Sequence, residues 1–227
     1  MNWQDKGFLL SINKYNENSS IAEFYTKNKG KAVGIIFGST SNKIKSYLII
    51  GNKLHINYTT KNSSTIGNFK LEIDCVNTPA YLDDRIKLLI IIYSMKIIKT
   101  LTVENQSNEN IYFLIGKLFT ILRSDRWLKE FILWELELFK SLGYEIIFSD
   151  YTEVHNQNGL KKYVLKNDKS KVIPDFLINQ SSENIEKKDM IAAMKLISDF
   201  MNKSIFLENN ISIPEVRGDI INLIELL

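Results

Sequence analysis

The chain is poor in the residues that build disulfide and metal sites. Its 227 residues include one cysteine, Cys75, and two histidines, His55 and His155. One cysteine cannot form an internal disulfide, and two histidines far apart in the sequence are a poor basis for a zinc site. We therefore expect no metal and no cofactor, and a reducing compartment such as the cytoplasm.

Long apolar segments are also missing. The longest purely apolar run is Leu88–Tyr93, with Lys87 directly before it. A membrane-spanning helix needs about 20 apolar residues. The first five residues lack the positive start and apolar stretch of a secretory signal peptide. These features predict a protein that stays in the cytoplasm.

The sequence contains neither a phosphate-binding P-loop nor a Gly-x-Gly-x-x-Gly dinucleotide motif. Gly30, Gly34 and Gly38 recur every fourth residue, a spacing that suits the bending of a small barrel rather than a phosphate cradle. Glu135 and Glu137 are two positions apart on a predicted helix, so they point in different directions and are expected to face solvent. We expect a protein that is not an enzyme.

Short strands dominate the first third of the chain. Phe69–Asp74 alternates strictly between apolar and polar residues, which places one face in a core and the other in water. The other predicted strands are Phe8–Ile12, Ile21–Tyr25, Ala32–Phe37 and Tyr47–Ile50, the last continued by Leu54–Tyr58. This number of strands fits a five-stranded OB barrel, a fold that binds oligonucleotides. An SH3-like barrel has the same strand count, and periodicity does not separate the two.

Helical periodicity replaces the strand pattern after Asn77-Thr78-Pro79. Helices are predicted over residues 83–102, 110–122, 126–142 and 185–206, with a last amphipathic segment after Pro214. Residues 145–179 lose this pattern and are predicted to be a loop insert without zinc. The predicted fold is mixed α and β in two domains. A five-stranded barrel occupies residues 1–78 and an all-α helical domain occupies residues 79–227.

Positive charge is concentrated in the barrel segment. Residues 1–78 carry ten lysines and five acidic residues, a net charge of +5, whereas the remainder of the chain carries −2. This asymmetry favours a partner with a negatively charged backbone, and nucleic acid is the usual one. The alternative is compositional drift, because a chain rich in Ile, Lys and Asn scatters its lysines without a common purpose.

Proteins that bind single strands combine lysines, which contact phosphates, with aromatic side chains, which stack on bases. Several such residues lie near the predicted turns of the barrel, and we take them as candidate DNA-binding residues: Lys14, Tyr15, Lys27, Lys29, Lys31, Lys43 and Lys45. For an aromatic residue in this segment the alternative role is packing in the barrel core or at the rim of the barrel.

Several segments follow one another along the chain in a recognisable order. They include Gly7-Phe8-Leu9-Leu10, Gly34-Ile35-Ile36-Phe37-Gly38, Ile66-Gly67-Asn68-Phe69, Trp134-Glu135-Leu136 and Ile213-Pro214-Glu215-x-Arg217. Together these segments resemble the RecO family of recombination and repair proteins, in particular its α-proteobacterial members. The resemblance implies an N-terminal OB-fold and a helical domain. It also implies binding of single- and double-stranded DNA, annealing of complementary strands, contact with the C-terminal tail of single-strand-binding protein, and RecA loading together with RecR. A nucleoid-associated location follows from these activities.

The chain departs from the family pattern at two places. Many members carry a cysteine zinc element after the central helix, and Phe148–Val172 contains no cysteine. The family also has a run of arginines around Phe37–Lys43, of which only Lys43 is basic here. Lys29, Lys31 and Lys45 are candidates to replace that charge. The second departure motivates an alternative function, a protein-interaction adaptor of the same pathway with little DNA binding.

Overall fold

The computed structural model describes residues 2–62, 65–157, 160–179 and 185–226. The predicted domains and the predicted insert therefore include a few residues that lie outside the described ones, residues 158 and 159 of the insert among them. The chain forms two compact units, Met1–Thr120 and Ile121–Leu227. The sequence divides instead at residue 78, where the barrel strands end, so the division into domains at that point stays a prediction.

The first unit contains a closed barrel with the strand order β1-β2-β3-β5-β4. Its strands are β1 (Asn2–Asn16), β2 (Ser19–Thr26), β3 (Gly30–Phe37), β4 (Lys53–Thr59) and β5 (Gly67–Cys75). Neighbouring strands are antiparallel except β3 and β5, which pair in parallel at Gly34 and Ile35 and so close the barrel. The prediction of a five-stranded barrel is confirmed.

Alternation along the strands builds the barrel core. Every second residue of β2 and β3 points inward, as Ala22 and Phe24 do, and the register pairs Ala22 with Gly34 and Phe24 with Ala32. A side chain at Gly34 would collide with the Phe69 ring, so glycine is required at this position. The buried core consists of Leu9, Ala22, Phe24, Ala32, Ile36, Leu54, Ile56, Phe69 and Leu71.

A short helix, α1 (Asn42–Tyr47), connects β3 to β4. The Ser41 side chain caps it by accepting a hydrogen bond from the Ile44 amide, and Ile44, Tyr47 and Leu48 pack against the barrel core. The prediction of a strand at Tyr47–Ile50 was therefore wrong. Its apolar run is half-buried. It forms the end of α1 and the turn before β4, where Gly51 adopts a positive φ of 87°.

Two helices complete the first unit, α2 (Arg85–Leu101) and α3 (Glu109–Ile121). The Asp84 side chain caps α2 by accepting from the Lys87 amide at 3.1 Å. While Leu9 points into the barrel, Phe8 points out of it and contacts the rings of Tyr112 and Phe119, with centroids 5.4 and 6.3 Å away. These contacts pack α3 against the outside of β1.

Three helices form the core of the second unit: α4 (Trp127–Ser141), α5 (Lys187–Met201) and α6 (Val216–Leu226). α4 stops at Gly143, which has a positive φ of 91°, as its sequence predicts. α5 continues as a π-helical turn, Asn202–Phe206. The prediction of a barrel followed by a helical region is confirmed. No helix of the described ranges is both long and apolar enough to cross a bilayer.

A small sheet interrupts the helices. Its antiparallel strands are β6 (Thr152–Gln157), β7 (Leu160–Leu165) and β8 (Asp168–Ile173), in that order. The predicted loop insert at 145–179 is thus largely an ordered sheet within a region expected to be all-α. Polar residues alternate with few apolar ones in these strands, so only Val164 and Ile173 of their described residues are buried apolar side chains. This sparse pattern explains why the sequence did not reveal the strands.

One buried ion pair ties the three helices of the second unit together. The Arg217 guanidinium on α6 donates to Glu135 on α4 at 2.6 Å, and their side chains are only 2% and 1% exposed. Arg217 also donates to the Ser198 hydroxyl and the Met194 carbonyl on α5. The prediction that Glu135 faces solvent was wrong, because a partner 82 residues away neutralises its charge. Glu137 is exposed, as expected.

Candidate nucleic-acid interface

Hydrogen bonds at Asn18 hold three segments together at one end of the barrel. Asn18 lies at the tip of the β1–β2 hairpin. Its backbone carbonyl accepts from the Gly38 amide at 2.8 Å, and its side-chain carbonyl accepts from the Thr40 hydroxyl at 2.6 Å. Gly38 and Thr40 lie between β3 and α1. The hairpin tip, the end of β3 and the start of α1 therefore share this end.

Two large aromatic side chains are exposed at this end. Tyr15, near the end of β1, is 57% exposed, and Phe37, the last residue of β3, is 60% exposed. They flank Ser19 on β2, which pairs with Phe37 on one side and with Asn16 on the other, after an irregularity between Lys14 and Asn16. Neither ring belongs to the barrel core, so of the two alternative roles for Tyr15 only packing at the rim remains.

Three lysines accompany these rings. Lys14 precedes Tyr15 on β1, and Lys43 and Lys45 lie on α1, where they flank the core-packed Ile44. All three side chains are exposed, and none forms an ion pair with another described residue. We call this set the tip surface, and it consists of Lys14, Tyr15, Phe37, Lys43 and Lys45. Four of the seven predicted site residues are thus brought together.

The other three predicted residues, Lys27, Lys29 and Lys31, lie at the opposite end of the β2–β3 hairpin, which we call the turn end. β2 spans Ser19–Thr26, and its seven steps of about 3.3 Å separate the two ends by about 23 Å. The predicted set is therefore divided into two groups rather than forming one continuous track.

Two turn-end lysines have partners within the protein. The Lys27 ammonium lies 3.4 Å from the Glu109 carboxylate and 5.5 Å from the centre of the Phe113 ring. Lys31 donates to the carbonyl of Lys99 at 2.9 Å, in the last turn of α2, where the helix dipole favours a cation. These contacts reduce the charge that either lysine offers to a phosphate.

Lys29 is half-buried beside a cavity of about 480 Å³. The stacked rings of Trp3 and Tyr58, with centroids 4.9 Å apart, and the Glu104 side chain also line this cavity. Glu104 places a negative charge in the same space as Lys29. This charge opposes the entry of a phosphate at that point.

Asp74, also at the turn end, gathers further positive side chains. It accepts from Lys6 at 2.8 Å, lies 3.3 Å from the Lys53 ammonium and contacts His55 at 2.9 Å. Lys6 belongs to this end because its carbonyl accepts from the Lys27 amide. The hydrogen bond from Lys6 is the main reason that the pKa of Asp74 lies below its ordinary value of 3.8, and burial partly opposes it.

Lys99 on α2 is not among the residues predicted from the sequence, although it contacts the barrel. Its ammonium lies 2.6 Å from the Glu23 carboxylate and 3.1 Å from the Ser11 hydroxyl, both on the outer face of the barrel. This contact fastens the end of α2 to the outer face of β1 and β2. Phe37 was also missing from the predicted site, although the inward positions of Ala32 and Ile36 imply that it points outward.

Within the described ranges, no group of three or more His, Cys, Asp and Glu side chains is arranged to hold a metal ion. The expectation of a protein without metal and without catalysis remains a prediction. The arrangement at the tip surface offers positive charge and exposed rings, which bind rather than transform a ligand.

The chain belongs to the class of proteins in which an N-terminal OB-like barrel is followed by a helical region. Comparison with known proteins identifies the family. Residues 1–73 match the family described as Recombination protein O N terminal, and residues 82–184 match Recombination protein O C terminal. The chain belongs to the RecO family of DNA repair proteins, as its sequence segments predict.

Relatives named DNA repair protein RecO align over nearly the whole chain. The one from Ehrlichia chaffeensis is 25% identical, covering 100% of this chain and 99% of the relative. The one from Wolbachia sp. subsp. Drosophila simulans is 23% identical, covering 98% and 100%. The one from Rhodospirillum centenum is 19% identical, covering 96% and 92%. These α-proteobacterial relatives agree with the predicted type of RecO.

Proposed function

We propose that this DNA repair protein binds single- and double-stranded DNA, anneals complementary strands and, with RecR, helps to load RecA onto DNA covered by single-strand-binding protein. It acts by binding, without bond chemistry, in the cytoplasm at the nucleoid. The observation that carries the DNA-binding step is the tip surface, where two exposed rings and three exposed lysines without an ion pair to another described residue lie at one end of an OB-like barrel.

Annealing requires two phosphate backbones to approach each other. Their repulsion falls when lysines neutralise phosphates, and the released counterions make binding favourable at low salt. Lys14, Lys43 and Lys45 are suited to this role because none of them forms an ion pair with a carboxylate of the described residues. The bases that pair during annealing supply the remaining free energy, so the protein needs no catalytic group.

The test is charge reversal at the tip surface. We expect the triple variant Lys14→Glu, Lys43→Glu, Lys45→Glu to lose most single-strand binding and annealing. Each phosphate contact contributes about −0.7 to the slope of log affinity against log salt, so three contacts give about −2. Fluorescence anisotropy with a labelled oligonucleotide at several salt concentrations measures both quantities, and a strand-pairing assay measures annealing.

The matched control reverses three lysines whose side chains are also exposed, Lys169, Lys188 and Lys195. Their ion pairs lie at the surface and contribute little to stability, so this variant changes the net charge equally without unfolding the protein. Equal losses in the two variants would contradict a DNA site at the tip surface. A second triple reversal, of Lys27, Lys29 and Lys31, shows whether the turn end contributes.

The alternative, a protein-interaction adaptor with little DNA binding, is favoured by the internal partners of Lys27 and Lys31. The titration of the wild type with a labelled single strand, combined with binding assays for RecR and the tail, separates the two functions. An adaptor binds RecR and the tail of single-strand-binding protein while leaving single strands free even at low salt. A DNA-binding mediator binds all three.

A pocket of the second unit has the chemistry for that tail. It has a volume of about 270 Å³, lies at the start of α4, and is lined by Trp127, Leu128, Ile185 and Met190 together with charged residues. Every protein tail ends in a carboxylate, and Arg126, Lys129 and the helix N-terminus favour a negative group there, although Asp125 opposes it. We propose that the tail inserts an apolar side chain here and places its carboxylate near Arg126.

A labelled peptide with the sequence of the tail tests this pocket. We expect Arg126→Glu to weaken peptide binding about tenfold or more, because it replaces a favourable charge with a repulsive one. Lys195→Glu, an equal charge change on α5, leaves it unaltered. A peptide whose terminal carboxylate is amidated is expected to bind weakly to the wild type. If both peptides bind equally, the carboxylate is not recognised at this pocket.

A further inference from the structure

Lys99 of α2 covers part of the outer face of β1, β2 and β3, and the cross-strand pairs nearer to the tip are more open. At the covered level Ser11 lies opposite Glu23, and Lys99 of α2 contacts both. At the next level towards the tip, Ile21 lies opposite Ile35, and both side chains are only half-buried. The tip aromatic residues follow immediately. On this outer face Ile21 and Ile35 therefore lie between the end of α2 and the tip surface.

The spacing of the two rings is set by the barrel. Tyr15 is on β1 and Phe37 is on β3, with β2 between them, so two strand spacings of about 4.8 Å separate their backbones by about 10 Å. Two rings at this distance can each meet a different base of one extended strand.

We infer that Tyr15 and Phe37 are a base-stacking pair that makes the tip surface selective for single-stranded over double-stranded DNA. This inference rests on the proposed DNA binding and adds the form of DNA that the site prefers. In a single strand the faces of the bases are accessible, whereas in a duplex each base is already stacked between its neighbours.

Charge complementarity identifies the occupant as nucleic acid. Lys14 adjoins Tyr15 in sequence, and Lys43 and Lys45 follow Phe37 on α1. Unpaired cations around exposed rings are the combination found in sites that track a sugar-phosphate backbone while stacking its bases. A purely apolar partner would leave these three charges without a counterpart.

Because residue 37 is a phenylalanine, we expect it to contribute to DNA binding by stacking rather than by charge. The family resemblance places basic residues around Phe37–Lys43, and a basic side chain contacts the phosphates of both single and double strands. A phenyl ring contacts only bases. Replacing one by the other keeps contact with single strands, reduces contact with duplexes and makes binding less dependent on salt.

The test substitutes each ring and measures single- and double-strand affinity in parallel. We expect Phe37→Ala and Tyr15→Ala each to weaken single-strand binding about 5- to 150-fold, the effect of losing one stacked base. Duplex affinity and the salt slope stay within about twofold of the wild type, because no charge is lost. Phe113→Ala, which removes a ring that is 55% exposed on α3, is the matched control and leaves the single-strand affinity unchanged.

Two more variants of the same position separate stacking from general apolar contact. Phe37→Trp is expected to keep the affinity, and its added fluorescence is quenched when a base stacks on it, relative to the wild-type signal of the three native tryptophans. Phe37→Leu keeps an apolar side chain without a ring and is expected to bind as weakly as Phe37→Ala.

The outcomes distinguish this inference from the function on which it rests. A wild type that binds DNA, with Phe37→Ala and Tyr15→Ala binding single strands equally well, overturns the stacking pair alone. Variants that lose single- and double-strand affinity to the same degree also overturn it. A wild type that binds no single strand at low salt overturns the proposed function as well.

Discussion

The two ends of the β2–β3 hairpin look alike in sequence and differ in structure. Each combines lysines with a glycine of positive φ, Gly30 at 67° and Gly38 at 68°. At the turn end Lys27 and Lys31 are bound by other parts of the protein, whereas at the tip Lys43 has no ion pair among the described residues. The number of lysines in a segment therefore does not measure the charge that it presents to a ligand.

The segment between α2 and α3 accounts for the difference. The Asn105 amide donates to the Lys31 carbonyl at 2.9 Å, and Glu104 forms a parallel β-bridge with the same residue. This segment also places Gln106 directly against Gly30. No comparable segment is found over Gly38, which has open space around it within the described residues. The turn end serves packing, and the tip remains accessible.

The largest expected effect on stability comes from substituting each of these two glycines, Gly30 and Gly38, by alanine. In Gly30→Ala the new methyl group overlaps the Gln106 carbonyl, so we expect a loss of about 3 kcal/mol or more in the free energy of unfolding. In Gly38→Ala only the positive φ opposes the change, which costs about 1–2 kcal/mol. Urea unfolding of both variants measures the difference. Equal losses would show that the segment at Gln106 yields, and that the two ends are packed alike.

A smaller effect distinguishes the lysines themselves. We expect Lys31→Ala to cost about 1 kcal/mol of stability, because it removes a cation from the last carbonyls of α2, and to change single-strand affinity less than twofold. Lys43→Ala is expected to leave stability within about 0.5 kcal/mol and to lower the salt slope of DNA binding by about 0.7. Unfolding curves and anisotropy titrations of the same preparations provide both measurements. The comparison fails if Lys31→Ala alters DNA binding more than Lys43→Ala.

Patterns local to one element predicted most of the fold. Strict alternation located β5, and helical periodicity with Gly143 located α4 and its end. The prediction of a strand at Tyr47–Ile50 was wrong because a short apolar run has the same appearance in a strand and at the end of a helix. The strands β6–β8 were missed because they bury few apolar residues, so their alternation is weak.

The site was less predictable because its electrostatics depend on contacts between distant residues. Lys27 meets Glu109 and Lys31 meets the end of α2, 68 residues away. No local pattern encodes such contacts. Lys99 and the buried Glu135 were unrecognised for the same reason. The exposure of Phe37, in contrast, follows from strand alternation alone, and a basic residue was sought there because of the family pattern.

The smallest expected effect concerns the pH dependence of the turn end. Because Lys6 holds the pKa of Asp74 below 3.8, the folded state retains this charge to lower pH than the unfolded state does. Its contribution to stability is therefore complete above pH 3.8 and is lost as the pH falls through the lowered value. We expect the stability difference between the wild type and Asp74→Asn to shrink as the pH falls below about 4, where the carboxylate of the folded protein becomes protonated. Urea unfolding above and below this pH measures it.

Asp74→Asn also makes the turn end more like the tip, because it leaves Lys6 and Lys53 without their carboxylate. At neutral pH, where the variant differs from the wild type by one charge, it tests whether accessible cations are sufficient for DNA binding. At the turn end Trp3 and Tyr58 stack on each other, so these two rings do not offer separate faces to two bases. We therefore expect a slight gain in affinity for single and double strands alike, through charge alone. A gain confined to single strands would show that exposed rings are not what makes the tip selective.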